Sequence, residues 1–486
     1  MVNIQSKLLL RKIPKYILLK LLTLNNKYSF LLVLISVLIP LLFINNIYLL
    51  IPISIIIFFV IFDFKPTIIT VLFVALIALS SGLGDNLRLF IQVITVTTLT
   101  FIFFKQYGIQ FERYPKLPAQ MIKLILLILF AMVFSLPFTK YFMVGIEQLV
   151  RSVLFFFIIY LFYSFLSDFN DVKYFLYALF GGAVIYFILL LYEIVKVDFD
   201  FINLNQSIFL NEGISFVHRN VIGGFFSICI AITIAFLTSE GLKQKYRKYF
   251  ATFITFLTLG LVLTNSRGAI ISLIIAAVYI FYIQNKKALK YLVAIILLII
   301  PFLFLNIVSD TINLYFRLER ISTGRDYILE TVYNMISNNP IIGAGPAATK
   351  FEMYNYLPYL FGTPQEFYLS KHINQIEFGH AHNFYLFLYT DLGIIGLITS
   401  LLIPFTFVRM GNTLMKSVNK NETILYPLIL GIQAAGISLF IRGLFEWAGI
   451  FSYGTITYDL PFWWIFSILV FLYQKIIIDK QKIILN

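Results

Sequence analysis

The chain has 486 residues, of which 60% are hydrophobic, 18% aromatic and only 12% charged, and its mean hydropathy is +0.91. An ordinary soluble domain carries roughly 25% charged residues, so this composition excludes a soluble enzyme, a disordered chain and a disulfide-rich secreted module. The formal charge of +14 does not point to nucleic acid, because the basic residues sit in short clusters between apolar runs, where membrane topology puts them.

A spanning helix needs about 20 mostly apolar residues. In chain order the candidates are 28–44, 47–62, 67–82, 87–104, 121–138, 146–167, 172–195, 217–239, 249–265, 268–284, 289–306, 384–408, 424–446 and 457–475. The apolar residues run on unbroken instead of alternating, which argues against a β-barrel. The expectation is an all-α polytopic membrane protein of about 12–14 transmembrane helices, with residues 1–486 forming a single integral membrane domain. The first apolar run reads as a retained signal anchor. With the N-terminus in the cytoplasm, 25 of the 37 Lys and Arg fall on the cytoplasmic side, as the positive-inside rule requires for an even number of spans. That topology places two substantial loops outside, 196–216 and 307–383. The longer one is partly helical: in RDYILETVYNMISNN, Ile328, Val332, Met335 and Ile336 share a face, and Pro340 with the GAGP turn ends the helix.

The single cysteine, Cys229, leaves no intrachain disulfide and no Cys-based zinc or iron–sulfur site. Charges within spans are costly and usually mark a site or pathway. Here they gather toward the outer ends: Glu147, Arg151, Glu193, Arg267, Asp391, Arg442 and Glu446, with His218, Arg219 and Asn220 at the mouth of another span. Snorkelling to the interface accounts for Arg151. It accounts less well for Asp391, eight residues into its helix and so roughly 10 Å along the axis. A polar cavity open to the outer face is the expectation.

Three segments face that cavity. In TNSRGAI at 264–270, Arg267 opens a helix, where free N–H groups and a guanidinium fork suit a phosphate; an interface anchor is the equal alternative. In STGRDYILE at 322–330, Arg325 opens another helix; the alternative is a surface arginine paired with Asp326 or Glu330. In GHAHNFYLFLYTDLGIIGL at 379–397, His382 sits where the long loop meets the membrane. An imidazole titrates near neutrality, so His382 is a candidate base for a hydroxyl, with an interfacial or capping histidine as the alternative.

Together these segments resemble the O-antigen ligase and O-antigen polymerase family of bacterial membrane glycosyltransferases. The resemblance rests on His382 and Asn383, then nine residues, then Gly393 and Gly396; on Ser266-Arg267-Gly268; and on the run from Gly324 and Arg325 through Pro340 to Gly343 and Gly345. His218, Arg219 and Asn220 resemble its outer-loop element more weakly. The likeness covers about residues 210–400.

The resemblance implies a GT-C-like all-helical fold and a metal-independent transfer of glycan from an undecaprenyl-pyrophosphate-linked donor, outside the bacterial inner membrane. The acceptor would be lipid A–core, another lipid-linked glycan, or a protein. His382, Arg267 and Arg325 would then be catalytic, and Asn383, His218, Arg219, Asn220, Asp391 and Arg442 substrate-binding, with no cofactor and no metal. Two rivals stand beside it. A transporter of a small anion or lipid-linked sugar would place its polar residues near the midplane. A metal-dependent transferase would use Asp198 and Asp200, or His372, Glu377, His380 and His382.

Overall fold

The computed structural model describes residues 85–196, 219–239, 242–302, 325–357 and 380–478, with Ile69 and Phe73. The expected spans before residue 83, the loop 196–216 with His218, Asp198 and Asp200, and His372 and Glu377 lie outside the described residues. The protein is an all-α polytopic membrane protein, and the described residues contain no strand.

Among the described residues, eight helical segments are long and apolar enough to cross a membrane: Ala119–Phe138, Phe142–Ser164, Phe169–Tyr192, Arg219–Leu237, Arg267–Gln284, Phe384–Ser417, Leu425–Arg442 and Ile456–Ile478. In chain order the helices are α1 (Asp85–Tyr107), α2 (Ala119–Ser135), α3 (Phe142–Ser164), α4 (Phe169–Lys196), α5 (Arg219–Leu237), α6 (Gln244–Leu263), α7 (Arg267–Gln284), α8 (Lys286–Phe302), α9 (Arg325–Asn338), α10 (Phe384–Ser417), α11 (Leu425–Arg442) and α12 (Ile456–Tyr473). Helices α1, α6 and α8 stand where further spans were expected, so the sequence pattern located these elements to within a few residues.

Burial sorts the helices. α5, α11 and α12 are apolar all round and buried along almost their whole length, the signature of helices enclosed by others. Close approach is made possible by small residues: a Cβ on Gly431 of α11 would lie 2.9 Å from Ile232 Cα on α5. The outer helices keep large apolar side chains exposed, among them Leu126, Phe130, Leu154, Leu259 and Ile274, a surface suited to lipid tails.

The helices alternate in direction, so one end of the bundle gathers the 136–141 turn, the α6–α7 turn, the start of α10 and the 443–455 loop. Hydrogen bonds confirm this common placement: Asn383 Nδ2 donates to Leu444 O at 3.1 Å, and Asn220 Nδ2 to Glu446 Oε1 at 2.5 Å. The opposite end carries Lys173, Lys243, Lys245, Arg247, Lys248, Lys286, Lys287, Lys416 and Lys420.

Residues 325–357 form a small lobe at the first end. α9 buries Ile328, Val332 and Met335, the face expected from its spacing, together with Thr331. After Asn338 the chain folds back along α10: the Ala344 and Gly345 amides donate to Thr390 O and Asp391 O, each at 2.8 Å. α10 breaks there. Gly393 has φ +63 and ψ −153, a conformation closed to side-chain-bearing residues, and Ile341 O approaches so near that no Cβ fits. Gly396 likewise has no room, its space taken by Leu388 O.

Candidate functional site

The α6–α7 turn places Arg267. Thr264 bonds back to Leu261 O at 2.6 Å, Asn265 takes φ +51, and Ser266 is the N-cap of α7 without capping it through its side chain. Arg267 is therefore the first residue of α7, half-buried at a helix N-terminus. A Cβ on Gly223 would lie 2.7 Å from Ser266 Cβ, so α5 packs directly on this turn. Gly268 faces Phe445, 3.5 Å from where its own Cβ would stand.

The turn into α10 places His382. His382 has φ +48, a left-handed conformation uncommon for non-glycine residues and concentrated at functional sites. Asn383 follows as N-cap, its Oδ1 accepting from the Tyr385 and Leu386 amides at 2.9 and 3.0 Å. Its Nδ2 and the Phe384 amide donate to Leu444 O and Gly443 O, at 3.1 and 2.7 Å. Asn383 thus spends most of its hydrogen-bonding capacity on fixing the helix start against the 443–449 segment. His380 stacks on Trp447 with ring centroids 3.8 Å apart, and meets Phe387 edge-on. Burial, aided by the charge of Lys350, lowers its pKa from the usual 6.5 to about 4, so this imidazole is neutral near pH 7.

Residues 442–449 join the two turns. Phe445 lies against Gly268, Leu444 holds Asn383, and Glu446 accepts from Asn220 at the start of α5 beside half-buried Arg219. Arg267, Asn220, Arg219, His382 and Asn383 are thereby gathered around one short segment. Arg325 opens α9 in the lobe.

Two expected substrate ligands have other employment. Asp391 is fully buried, and its carboxylate accepts from the Thr349 amide at 2.9 Å, the Thr349 hydroxyl, the Ala347 amide at 3.1 Å and the Tyr453 hydroxyl at 2.7 Å. A carboxylate offers about four acceptor sites, so none is left for a sugar. The polar cavity expected at its depth is filled by the lobe's own chain. Arg442 is 2% exposed, bonds Ala448 O at 3.1 Å, and is pressed between glycines: a Cβ on Gly224 would lie 2.9 Å from Cζ, and one on Gly449 2.5 Å from Nη1. It is wedged between α5 and the 443–449 segment, with Nε and Nη2 buried and without a hydrogen-bond partner.

The role of the 443–455 segment was not expected: residues 443–446 were assigned to the span 424–446 and the rest stood as the gap before 457, although Arg442 and Glu446 were marked as charges at an outer end; the further signal available was Gly449 and Gly454. Arg151, expected only to snorkel, donates from Nε to Tyr453 O at 3.0 Å and clamps this segment to α3.

Residues 251–401 match the family model described as O-antigen ligase, a region that holds the Arg267 turn, Arg325 and the His382 turn. Over these residues the chain is similar to the O-antigen ligase family. No curated protein matches the sequence. The match supports a function of glycan-ligase type in general. α5 with Asn220, and the 442–455 segment, lie outside the matched region yet supply part of the same end of the bundle.

Proposed function

We propose that the protein transfers a glycan from an undecaprenyl-pyrophosphate-linked donor to an acceptor hydroxyl at the outer face of the bacterial inner membrane. The observation that carries this reading is the convergence of the Arg267 turn and the His382 turn on residues 443–446. The concentration of basic residues at the opposite end supports an outer placement for this one.

In the proposed reaction the acceptor oxygen attacks the anomeric carbon of the donor. A new glycosidic C–O bond forms as the bond to the pyrophosphate oxygen breaks, and lipid pyrophosphate departs. His382 takes the proton of the acceptor hydroxyl. Arg267, at a helix N-terminus, and Arg325 neutralise the charge growing on the leaving pyrophosphate. Arg219, His218 and the remaining N–H of Asn383 position sugar or phosphate. The acceptor is lipid A–core for a ligase, or a second lipid-linked unit for a polymerase. The transporter reading loses its best intramembrane charge, because Asp391 is fully engaged by protein donors.

The test compares two histidines in a detergent-purified assay with lipid-linked donor. His382→Ala should lower turnover by about 10²–10⁴, the usual worth of a general base, with donor binding largely kept. His380→Ala should be much milder, since that ring is packed on Trp447. Turnover by His382→Ala within a few-fold of wild type defeats the assignment. In cells lacking the protein, long polymer left unattached identifies a ligase, and attached single repeats identify a polymerase.

A further inference from the structure

We propose that Tyr453 is a positioning residue: its hydroxyl and the Asp391 carboxylate form a latch that seats the 325–357 lobe against the turn carrying His382, and so fixes the Arg325 helix relative to the proposed base. The inference rests on the catalytic reading above.

Tyr453 is 1% exposed and adopts φ +55, a strained conformation for a bulky side chain. Such strain persists only where the surroundings over-determine it. Here three elements do so. From α3, Arg151 Nε donates to Tyr453 O. From α12, the Asp459 carboxylate accepts the Ser452 amide at 2.6 Å and its hydroxyl at 2.8 Å, fixing the preceding residue. From α10, Asp391 accepts the Tyr453 hydroxyl at 2.7 Å, and Phe387 lies edge-on to the ring at 5.4 Å.

Asp391 then passes this fixed point to the lobe. Its remaining acceptor sites take the Ala347 and Thr349 amides and the Thr349 hydroxyl, all on the chain returning from α9. The same carboxylate stands eight residues into the helix that begins at the His382 turn. The lobe and the histidine turn therefore share one anchor. The charge of Lys350, in the lobe's short helix Thr349–Glu352, also acts on His380. Lys140 and Glu352, 3.3 Å apart, tie the lobe to the α2–α3 turn, and the Ala344 and Gly345 amides on Thr390 O and Asp391 O add backbone bonds to α10; of the side-chain ties the exposed Lys140 pair is the weaker and the latch is the buried one.

Tyr453→Phe removes one hydroxyl and keeps the ring, and Thr349→Val reaches the same carboxylate from the lobe side. In both, the Ala347 and Thr349 amides should exchange with solvent at least ~10-fold faster, while exchange in α5 and α11 stays unchanged. Misplacement by about an ångström costs up to ~10²-fold, so kcat should fall ~10- to 100-fold with the KM for lipid-linked donor unchanged. Thr349→Ser, which keeps the hydroxyl, should restore both. Adding Tyr453→Phe to Asp391→Asn should cost nothing further, because both act through one carboxylate.

Unchanged exchange at Ala347 and Thr349 overturns the latch. Faster exchange with unchanged kcat overturns its positioning role. Absence of transfer by the wild type would refute the transferase reading instead, and the exchange result would still decide the latch.

Discussion

Asp391 shows how a single residue misleads when only its neighbours in sequence are visible. An acid in an apolar helix reads as a site, and the spacing from His382 to Gly396 suggests chemistry throughout. The structure divides that spacing into two kinds of residue. Gly393 and Gly396 let a distant segment approach the helix, and Asp391 binds that segment; the donors come from Ala347, Thr349 and Tyr453, 42 to 62 residues away, which no local pattern displays. Asn383 was legible as polar and placed, and its capping role is a local one. The left-handed conformation of His382 was not legible, because it follows from how the turn meets residues 443–444.

Two predictions belong at this scale. Arg267→Lys should impair transfer although the charge is kept, because lysine lacks the planar fork that bridges two phosphate oxygens; equal activity would reduce Arg267 to an interface anchor. His380 should make stability depend on pH. Its folded pKa of about 4 lies below the ordinary 6.5, so between those values the unfolded chain binds a proton that the native state refuses. The associated stability is present above pH 6.5 and is lost as pH falls toward 4. The melting temperature in detergent should drop across that window, and His380→Phe should drop less; identical pH profiles would contradict the burial of a neutral imidazole.

Among elements, the helices were the legible part. Apolar run length set α2, α3, α4, α5, α7 and α12 to within four residues at each end, and of the expected apolar face of α9 Ile328, Val332 and Met335 are buried and Ile336 half-buried. The expected span 424–446 ran four residues past the end of α11, into the loop 443–455 that buries Ile450 and Phe451 and organises one end of the bundle. The pattern failed inside α10, where hydropathy is continuous but the helix breaks at Gly393. Gly393→Ala should cost on the order of 3 kcal/mol, seen as loss of monodisperse protein, because it combines a forbidden conformation with a collision at Ile341 O. Gly268→Ala meets Phe445 only at ordinary contact distance, 3.5 Å, and should purify normally. Equal yields for the two would show that the kink is not required.

At the scale of the whole molecule, the proposed reading requires that the end bearing His382 and Arg267 face away from the cytoplasm. Asn355 in the lobe and Asn421 in the α10–α11 turn are both exposed, at opposite ends. With the buried Cys229 replaced, a cysteine at Asn355 should react with an impermeant thiol reagent in cells whose outer membrane alone is permeable, and a cysteine at Asn421 should not. The reverse pattern would invert the protein and move the site to the cytoplasmic face.

The most direct test of the account is to reconstitute the purified protein in vesicles with a lipid-linked oligosaccharide and an acceptor glycan, following both glycan attachment and release of lipid pyrophosphate. Equimolar appearance of extended acceptor and lipid pyrophosphate, lost in His382→Ala, is the predicted result. Movement of the intact lipid-linked sugar across the bilayer, with no bond broken, would contradict it and make the protein a transporter.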